Sequence, residues 1–391
     1  MKPRVLSAIA AAGLAAWCLQ PAAVHSHETA KTTVTFEREI SRILNRKCIS
    51  CHAEKTIGFP LTTYEQTRPW AHAIKEEVLE RHMPPWRAAP GYGEFANDVS
   101  LTTRETQLFI AWIEGNGPKN SAQRIISNIG QMETADRNRL RLDVDRWELG
   151  RPDLIRQLGA NTIEAGQPNH VRTAIVDAGL KAGRWVQGFE FKPGDRRVVR
   201  AAFFSLEATG QWLASWTPWY GITSLPKNTA YFLPAGSRII AEIHYRGSDA
   251  AVQDRGQLGF HFADEQPSRC PSDIVLQTDK DKGISGESLR TTSTLATDTR
   301  LLALRPDLSS GARSIEVAAR TPDGIIQVLL FARDVLPEWP TPYILKEPVV
   351  LPRGTEVSAT GYFRAGESET SPAFRVILKS DHHGSCQGLS R

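Results

Sequence analysis

The sequence predicts a multidomain protein in which a small all-α unit is followed by two all-β sandwiches. Three observations predict it. Apolar residues at helical spacing, with capping signals, are confined to the stretch between Val34 and Pro118. From Trp185 onward the pattern changes to short alternating runs bounded by Gly, Pro and Asp. Two similar turns, Leu233-Pro234-Ala235-Gly236-Ser237 and Leu351-Pro352-Arg353-Gly354-Thr355, each lead into such a run, Ile239 to Tyr245 and Val357 to Phe363. Repetition at that distance suggests two sandwiches of similar plan.

Length and composition agree. A chain of 391 residues is too long for one ordinary core. Its 41% hydrophobic and 23% charged residues are those of a globular protein. The formal charge of +4, or +2 without Lys2 and Arg4, is too small to argue for nucleic acid or an anionic surface as partner.

Residues 1–26 read as a secretory signal peptide: Lys2 and Arg4, an apolar run from Val5 to Leu19, then small residues around Pro21-Ala22-Ala23. The run is too short for a membrane span, and no later stretch is apolar enough for one. The reading is a periplasmic or otherwise exported protein without a transmembrane segment. Trp17 stands where lipid attachment at Cys18 would need a small residue, so no lipid anchor is read.

The α unit spans residues 34–118. Phe36, Ile40, Ile43 and Leu44 recur at helical spacing behind Thr35 as N-cap. Thr62-x-x-Glu65 is a capping-box pattern that opens a helix through Trp70, Ile74, Val78 and Leu79, with Pro69 near its start. Thr102-x-x-Glu105 opens a third, carrying Leu108, Phe109, Trp112 and Ile113, and Gly115-Asn116-Gly117-Pro118 stops it.

Between the first two helices lies Cys48-Ile49-Ser50-Cys51-His52. Cys-x-x-Cys-His is the signature of covalent c-type haem attachment. The two thiols add across the porphyrin vinyl groups, and His52 follows as the proximal iron ligand. A Cys-x-x-Cys pair also suits a redox dithiol or half a zinc site; the export signal and the flanking helices favour haem. Met83, in His82-Met83-Pro84-Pro85-Trp86, is the candidate sixth ligand, on a loop stiffened by two prolines. His82 and His72 are its rivals, and either would give a lower potential than a thioether, which favours Fe(II). Trp70, Trp86 and Trp112 are expected to wall the haem crevice. Cys270 and Cys386 remain as two thiols in an oxidising compartment, a disulfide if geometry allows and free cysteines otherwise.

Three stretches carry a family resemblance: Leu61-Thr62-Thr63-Tyr64-Glu65-Gln66-Thr67-Arg68-Pro69-Trp70, Met83-Pro84-Pro85-Trp86 and Tyr92-Gly93-Glu94-Phe95-Ala96-Asn97-Asp98. They resemble bacterial cytochrome c domains fused ahead of copper type II, ascorbate-dependent monooxygenase-like modules. The resemblance implies Met83 as axial ligand and a pair of jelly-roll-like sandwiches. The Trp147-x-x-Gly150-x-Pro152-Asp153-Leu154 stretch is similar to the start of that module. The organisation then reads as cytochrome c domain 34–118, linker 119–146, first sandwich 147–266 and second sandwich 267–391.

The resemblance also implies two copper sites, one with a His-His pair and a later strand histidine, the other with His-x-His and a methionine. Arg200 and Ala201 stand at the first pair, and the later histidine is His244. The stretch Leu304 to Gly311 carries no histidine, and no methionine follows Met132. His244 is left as a vestigial copper position, and the sequence argues against bound copper. His382-His383, beside Asp381 and Cys386, read as a polar tail ahead of a metal site. Trp212, Trp216, Trp219 and Tyr220 read as core by default, or as a surface that docks the haem unit.

No catalytic residue is read. The chain reads as an exported monohaem c-type cytochrome passing single electrons to a redox partner protein, an electron carrier rather than a monooxygenase. Its cofactor is one covalent haem c, and its β module serves docking or ligand binding. Two alternatives stand beside this: a divergent haem-fused copper monooxygenase, and a redox-sensing or structural subunit of a periplasmic complex.

Overall fold

The structure, a computed structural model, describes residues 32–120, 146–278, 288–309, 311–364 and 373–383. The signal segment, most of the 119–146 stretch and Cys386 lie outside the described residues. Among those described, no helix is long and apolar enough to cross a membrane.

The fold is mostly β. Its few helices gather in the N-terminal part. Thr35 is extended, and its hydroxyl accepts from the Arg38 amide at 3.3 Å, which opens a π-helical turn, Phe36–Ile40, running into α1 (Ser41–Lys47). The amides of Phe36 and Glu37 donate to the carbonyls of Pro118 and Lys119, both at 3.0 Å, so the two ends of this part are tied together. α2 (Tyr64–Thr67) is capped by Thr63, one residue later than the capping-box pattern predicts. The Thr62 amide and hydroxyl donate instead to Gln66 Oε1, at 3.0 and 2.8 Å. Pro69 sits in the 3-10 turn Arg68–Trp70, which feeds α3 (Ala71–Leu79) without removing a helical donor. α4 (Thr103–Glu114) has the predicted reciprocal Thr102–Glu105 box and stops at Asn116 and Gly117, both left-handed. Phe36, Ile40, Leu44, Phe109 and Trp112 form the common core of these helices.

The segment between α3 and α4 does not stay with the helices. Trp86, Phe95 and Val99 are buried in the core of the second sandwich. Trp86 packs edge-on against Tyr343, with ring centroids 5.1 Å apart. Asn97 donates to the Pro342 carbonyl at 2.7 Å and accepts from the Ile344 amide at 3.0 Å. Isolated bridges join Ala88 to Ala332 and Phe95 to Leu345. The helical part is thus stapled to a strand pair more than 200 residues away in sequence.

The first sandwich comprises β1 (Leu154–Gln157), β2 (Asn161–Ile163), β3 (His170–Asp177), β4 (Arg184–Lys192), β5 (Val199–Leu206), β6 (Trp212–Trp216), β7 (Ile222–Ser224), β8 (Tyr231–Leu233), β9 (Arg238–Tyr245), β10 (Val252–Asp254) and β11 (Gln257–Phe262). One sheet runs β1-β11-β4-β7 with β8 also on β4, the other β3-β9-β5-β6, and β2 pairs with β10. The second comprises β12 (Arg269–Gln277), β13 (Ser288–Thr294), β14 (Thr299–Leu308), β15 (Ala312–Arg320), β16 (Ile326–Arg333), β17 (Tyr343–Leu351), β18 (Glu356–Phe363) and β19 (Phe374–His383). Its sheets run β12-β19-β14-β17 and β13-β18-β15-β16. Eight antiparallel strands in that interleaved order are a double Greek key, the jelly-roll order. The first sandwich repeats it, with the sixth position split between β7 and β8.

The two turns that echo each other in sequence occupy the same corner of each sandwich, ahead of β9 and β18. In each, the residue after a left-handed glycine donates to the proline carbonyl: Ser237 to Pro234 at 3.2 Å, Thr355 to Pro352 at 3.1 Å. Gly at that position with positive φ makes this a type II turn. Gly236 and Gly354 each donate, at 2.8 Å, to the carbonyl of Leu180 and Leu295 respectively.

One C-terminal expectation changes. His382 and His383 belong to β19, opposite Cys270 and Arg269, and are not a solvated tail. The adjoining Asp381 is fully buried and paired with Arg269 at 2.8 Å and with Arg300. Cys270 is buried and disulfide-bonded; its expected partner, Cys386, lies outside the described residues.

Candidate functional site

The Cys48–His52 run follows α1 as one further turn. The amides of Cys51 and His52 both donate to the Cys48 carbonyl, at 3.0 and 2.9 Å. The return is held by the Gly58 amide on the Cys51 carbonyl (2.7 Å), the Leu61 amide on the His52 carbonyl (2.8 Å) and the Thr56 hydroxyl on the Cys51 carbonyl (2.5 Å). Cys48, Cys51 and His52 thereby face one cavity of about 470 Å³, which Met83 lines as well. Its walls are otherwise largely apolar, among them Leu44, Ile57, Phe59, Leu61, Trp70 and Phe109. That volume and lining are those of a small-molecule or cofactor site.

The donors suit an iron porphyrin. His52 Nδ1 lies 2.9 Å from the Phe59 carbonyl, so this nitrogen carries the proton and Nε2 keeps the lone pair a metal needs. Burial lowers the His52 pKa, against the opposing Phe59 bond, and this favours the neutral, ligating ring. Burial pushes the Cys48 thiol up to about 12 and Cys51 up to about 11, the opposite of the depressed pKa of a reactive dithiol. Among the described residues, no group of three or more His, Cys, Asp or Glu side chains is arranged to hold a bare metal ion, as a zinc site would require. Phe59, Trp70 and Met83 are 44%, 46% and 42% exposed around the opening, apolar surface that a hydrophobic macrocycle would cover.

Gly58 fits closely against the imidazole. A Cβ there would lie 2.6 Å from His52 Nδ1 and 2.9 Å from the Cys51 carbonyl, too near for either to remain. Gly58→Ala should therefore break the His52–Phe59 bond and cost about 1–3 kcal/mol, seen as a lowered unfolding midpoint. An unchanged midpoint would show that the ring has room to move.

Neither rival of Met83 lines the cavity. His82 Nδ1 stands 3.4 Å from the carboxylates of both Glu77 and Glu80. Of the three tryptophans expected in the wall, Trp70 is there; Trp112 is fully buried among the helices, and Trp86 belongs to the second sandwich.

The rest of the wall comes from the β module, which the sequence does not foretell. Arg200, Arg246 and Trp339 line the same cavity. Arg200 sits where the register of β5 on β9 shifts between Val199 and Ala201, a bulge that re-aims one side chain. Its guanidinium lies 5.2 Å from the Trp339 ring centroid, and Trp339 stacks on Trp219 with parallel planes. Trp212 and Trp216 are core, as the default reading has it.

Trp339 also lines a second cavity, of about 220 Å³, together with His244 and Asp307. Ala201 is paired directly with His244 across the sheet, so two of the positions that the sequence resemblance relates to copper ligands are neighbours. His244 Nε2 contacts Glu242 Oε1 at 2.8 Å, and Arg305 reaches the same oxygen at 2.8 Å and Asp307 at 3.2 Å. Burial would raise the Glu242 carboxyl, but the His244 bond and the Arg305 charge outweigh it and hold it at about 2. An ion cluster thus stands beside this cavity.

No protein-family model and no curated protein matches the chain. Among solved structures it is similar to the major capsid protein P2 from bacteriophage PM2, at 9% identity and a TM-score of 0.27 over 59% of this chain and 100% of that one. It is also similar to a peptide-N(4)-(N-acetyl-β-D-glucosaminyl) asparagine amidase, at 12% identity and a TM-score of 0.28, over 58% and 97% of the two chains. Allantoicase from Saccharomyces cerevisiae follows at 9% identity and a TM-score of 0.20, over 54% and 77%. Likenesses at these scores carry no argument about function.

Proposed function

We propose that the chain is an exported monohaem c-type cytochrome that carries single electrons, related to cytochrome c domains fused to copper monooxygenase-like modules. One observation carries the reading: two thiols, an imidazole and a thioether, the last from 31 residues further along the chain, meet in one apolar cavity of about 470 Å³. Cys48 and Cys51 would make the thioether links, His52 would be the proximal ligand and Met83 the distal one. The haem, when bound, supplies one-electron chemistry at its iron.

The chain's own residues do the rest. The Phe59 carbonyl orients the His52 ring, and the buried Leu44, Leu61 and Phe109 exclude water from the inner wall. A dry site with a thioether ligand raises the potential relative to two imidazoles. The β module then serves to dock a redox partner, and its interior ion cluster at Glu242, His244 and Arg305 takes the place of a copper centre.

The test is expression in a host able to mature c-type cytochromes. The expected result is one covalently bound haem by mass and by the pyridine haemochrome spectrum, lost when Cys48 and Cys51 are both replaced by Ala. Met83→Ala should abolish the Met–iron charge-transfer band and lower the potential. An unchanged spectrum would move the ligand to His82 or His72, and absence of covalent haem in the unaltered chain would end the reading.

A further inference from the structure

We propose that Arg200 and Arg246, both from the first sandwich, bind the two carboxylates of the haem, so that the β module completes the haem site and helps set its potential; this rests on the haem reading above.

Four side chains with fixed charge line the cavity: Lys47, Glu77, Arg200 and Arg246. Glu77 is already engaged: its carboxylate stands 3.4 Å from His82 Nδ1. Lys47 Nζ reaches the Asp98 carbonyl at 3.4 Å. The hydrogen bonds of the two arginines, like that of Lys47, go only to backbone carbonyls. Arg200 donates to the Glu338 carbonyl at 3.3 Å, and its Nε is buried with no partner. Arg246 donates to the Ile57 carbonyl, in the loop that follows His52. Burial lowers the pKa of Arg200; the Glu338 carboxylate opposes this, and the neighbouring Arg246 charge adds to it.

Arg200, half-buried with an unpartnered Nε, and the more exposed Arg246 place two guanidinium groups beside an apolar cavity, which favours an anion there. The ligand must also have a large apolar body to cover Phe59, Trp70 and Met83. A haem has that shape, an apolar macrocycle with two carboxylates on one edge. Guanidinium is the side chain whose planar fork matches carboxylate.

Local structure brings the pair together. The Arg246 amide donates to the Val198 carbonyl at 2.7 Å, and Val199 is paired with Tyr245. Arg200 and Arg246 therefore leave the same end of β5 and β9. The bulge at Arg200 releases it from strict alternation toward the cavity. Trp339 lies beneath the Arg200 guanidinium.

The measurement uses the full-length, haem-loaded chain and its Arg200→Gln, Arg246→Gln and Arg200→Lys variants. Haem content should be unchanged in all three, because the thioether links are made by Cys48 and Cys51. Each Gln variant should favour the oxidised state about tenfold, a drop of about 59 mV for one electron. The propionate bending band in the resonance Raman spectrum should shift with it, which a charge acting from a distance would not cause. Arg200→Lys should recover most of the potential but not the band. Full haem content with the potential and band of the unaltered chain in Arg200→Gln would overturn the proposal and leave the haem reading intact. If Arg246→Gln fails to fold, Arg200→Gln still decides. Failure to find haem in the unaltered chain would remove both.

Discussion

Lys379→Met should destabilise the protein by about 3–5 kcal/mol, the cost of removing one partner from a buried ion pair. Lys379 lies in β19 between the two sandwiches, with its side chain 4% exposed. Its Nζ donates to the Trp212 carbonyl and to the Tyr231 hydroxyl, both on the first sandwich, and lies 4.6 Å from the Trp212 ring centroid. Asp273 Oδ1 is 3.8 Å away, an ion pair too long to be a hydrogen bond, while Asp273 Oδ2 accepts from the Trp212 amide at 2.5 Å. With the ammonium gone, the Asp273 carboxylate, 10% exposed, keeps its charge without a nearby cation.

Two further readouts separate this from simple loss of packing. Lys379→Met with Asp273→Asn should recover much of the loss, since asparagine keeps an acceptor for the Trp212 amide and removes the stranded charge. The pH dependence gives the second. Burial lowers Lys379 from 10.5 to about 8 in the folded protein, against the attraction of Asp273. Between those values the unfolded chain binds the proton and the folded chain does not, so stability rises with pH across that window. That slope should vanish in Lys379→Met. Chemical denaturation at pH 7 and pH 10 reads both; a neutral substitution at pH 7 would show that the pair contributes nothing to holding the sandwiches together.

The local features were legible because their causes are local. The Thr102–Glu105 box, the stop at Gly117 and the type II turns at Gly236 and Gly354 depend on residues a few positions apart. The Cys48–His52 motif is of the same kind: its turn is made within itself and closed by Thr56 and Gly58. The sequence is silent where the determinant is a distant partner. Arg200 reads only as a residue standing where a histidine is implied, because nothing in Val198-Val199-Arg200-Ala201 announces the bulge that turns it toward the cavity. Lys379 and Ser380 lead into Asp381-His382-His383, the stretch read as a polar tail; Lys379, Ser380 and Asp381 are buried because their partners come from β6, β8, β12 and β14. The apolar alternation of a strand says which face is covered only when one face is wet. Here both faces of β19 meet protein.

Trp86→Ala should cost about 3–5 kcal/mol, and the loss should appear in the second sandwich rather than in the helices. The sequence assigns Trp86 to the haem crevice by its place three residues after Met83. In the fold its ring is 6% exposed and lies between Phe95 and Tyr343, at 5.8 and 5.1 Å. Truncation would leave a void in a core that also holds Leu345, Leu330 and Ile315. The two assignments predict different outcomes for one variant. A crevice residue would change the haem spectrum and leave the sandwich intact. A staple residue would free the bonds from the Ala89 amide to the Phe331 carbonyl and from the Ala96 amide to the Ile344 carbonyl, both 2.7 Å. Amide exchange at Ala89 and Ala96 should then accelerate while that of the α4 amides holds. Because Met83-Pro84-Pro85 is the tether between this staple and α3, some loosening of the Met83 ligand should follow, as a secondary effect. Exchange at Ala89 and Ala96 unchanged from the unaltered chain would return Trp86 to the crevice and separate the helical part from the sandwich.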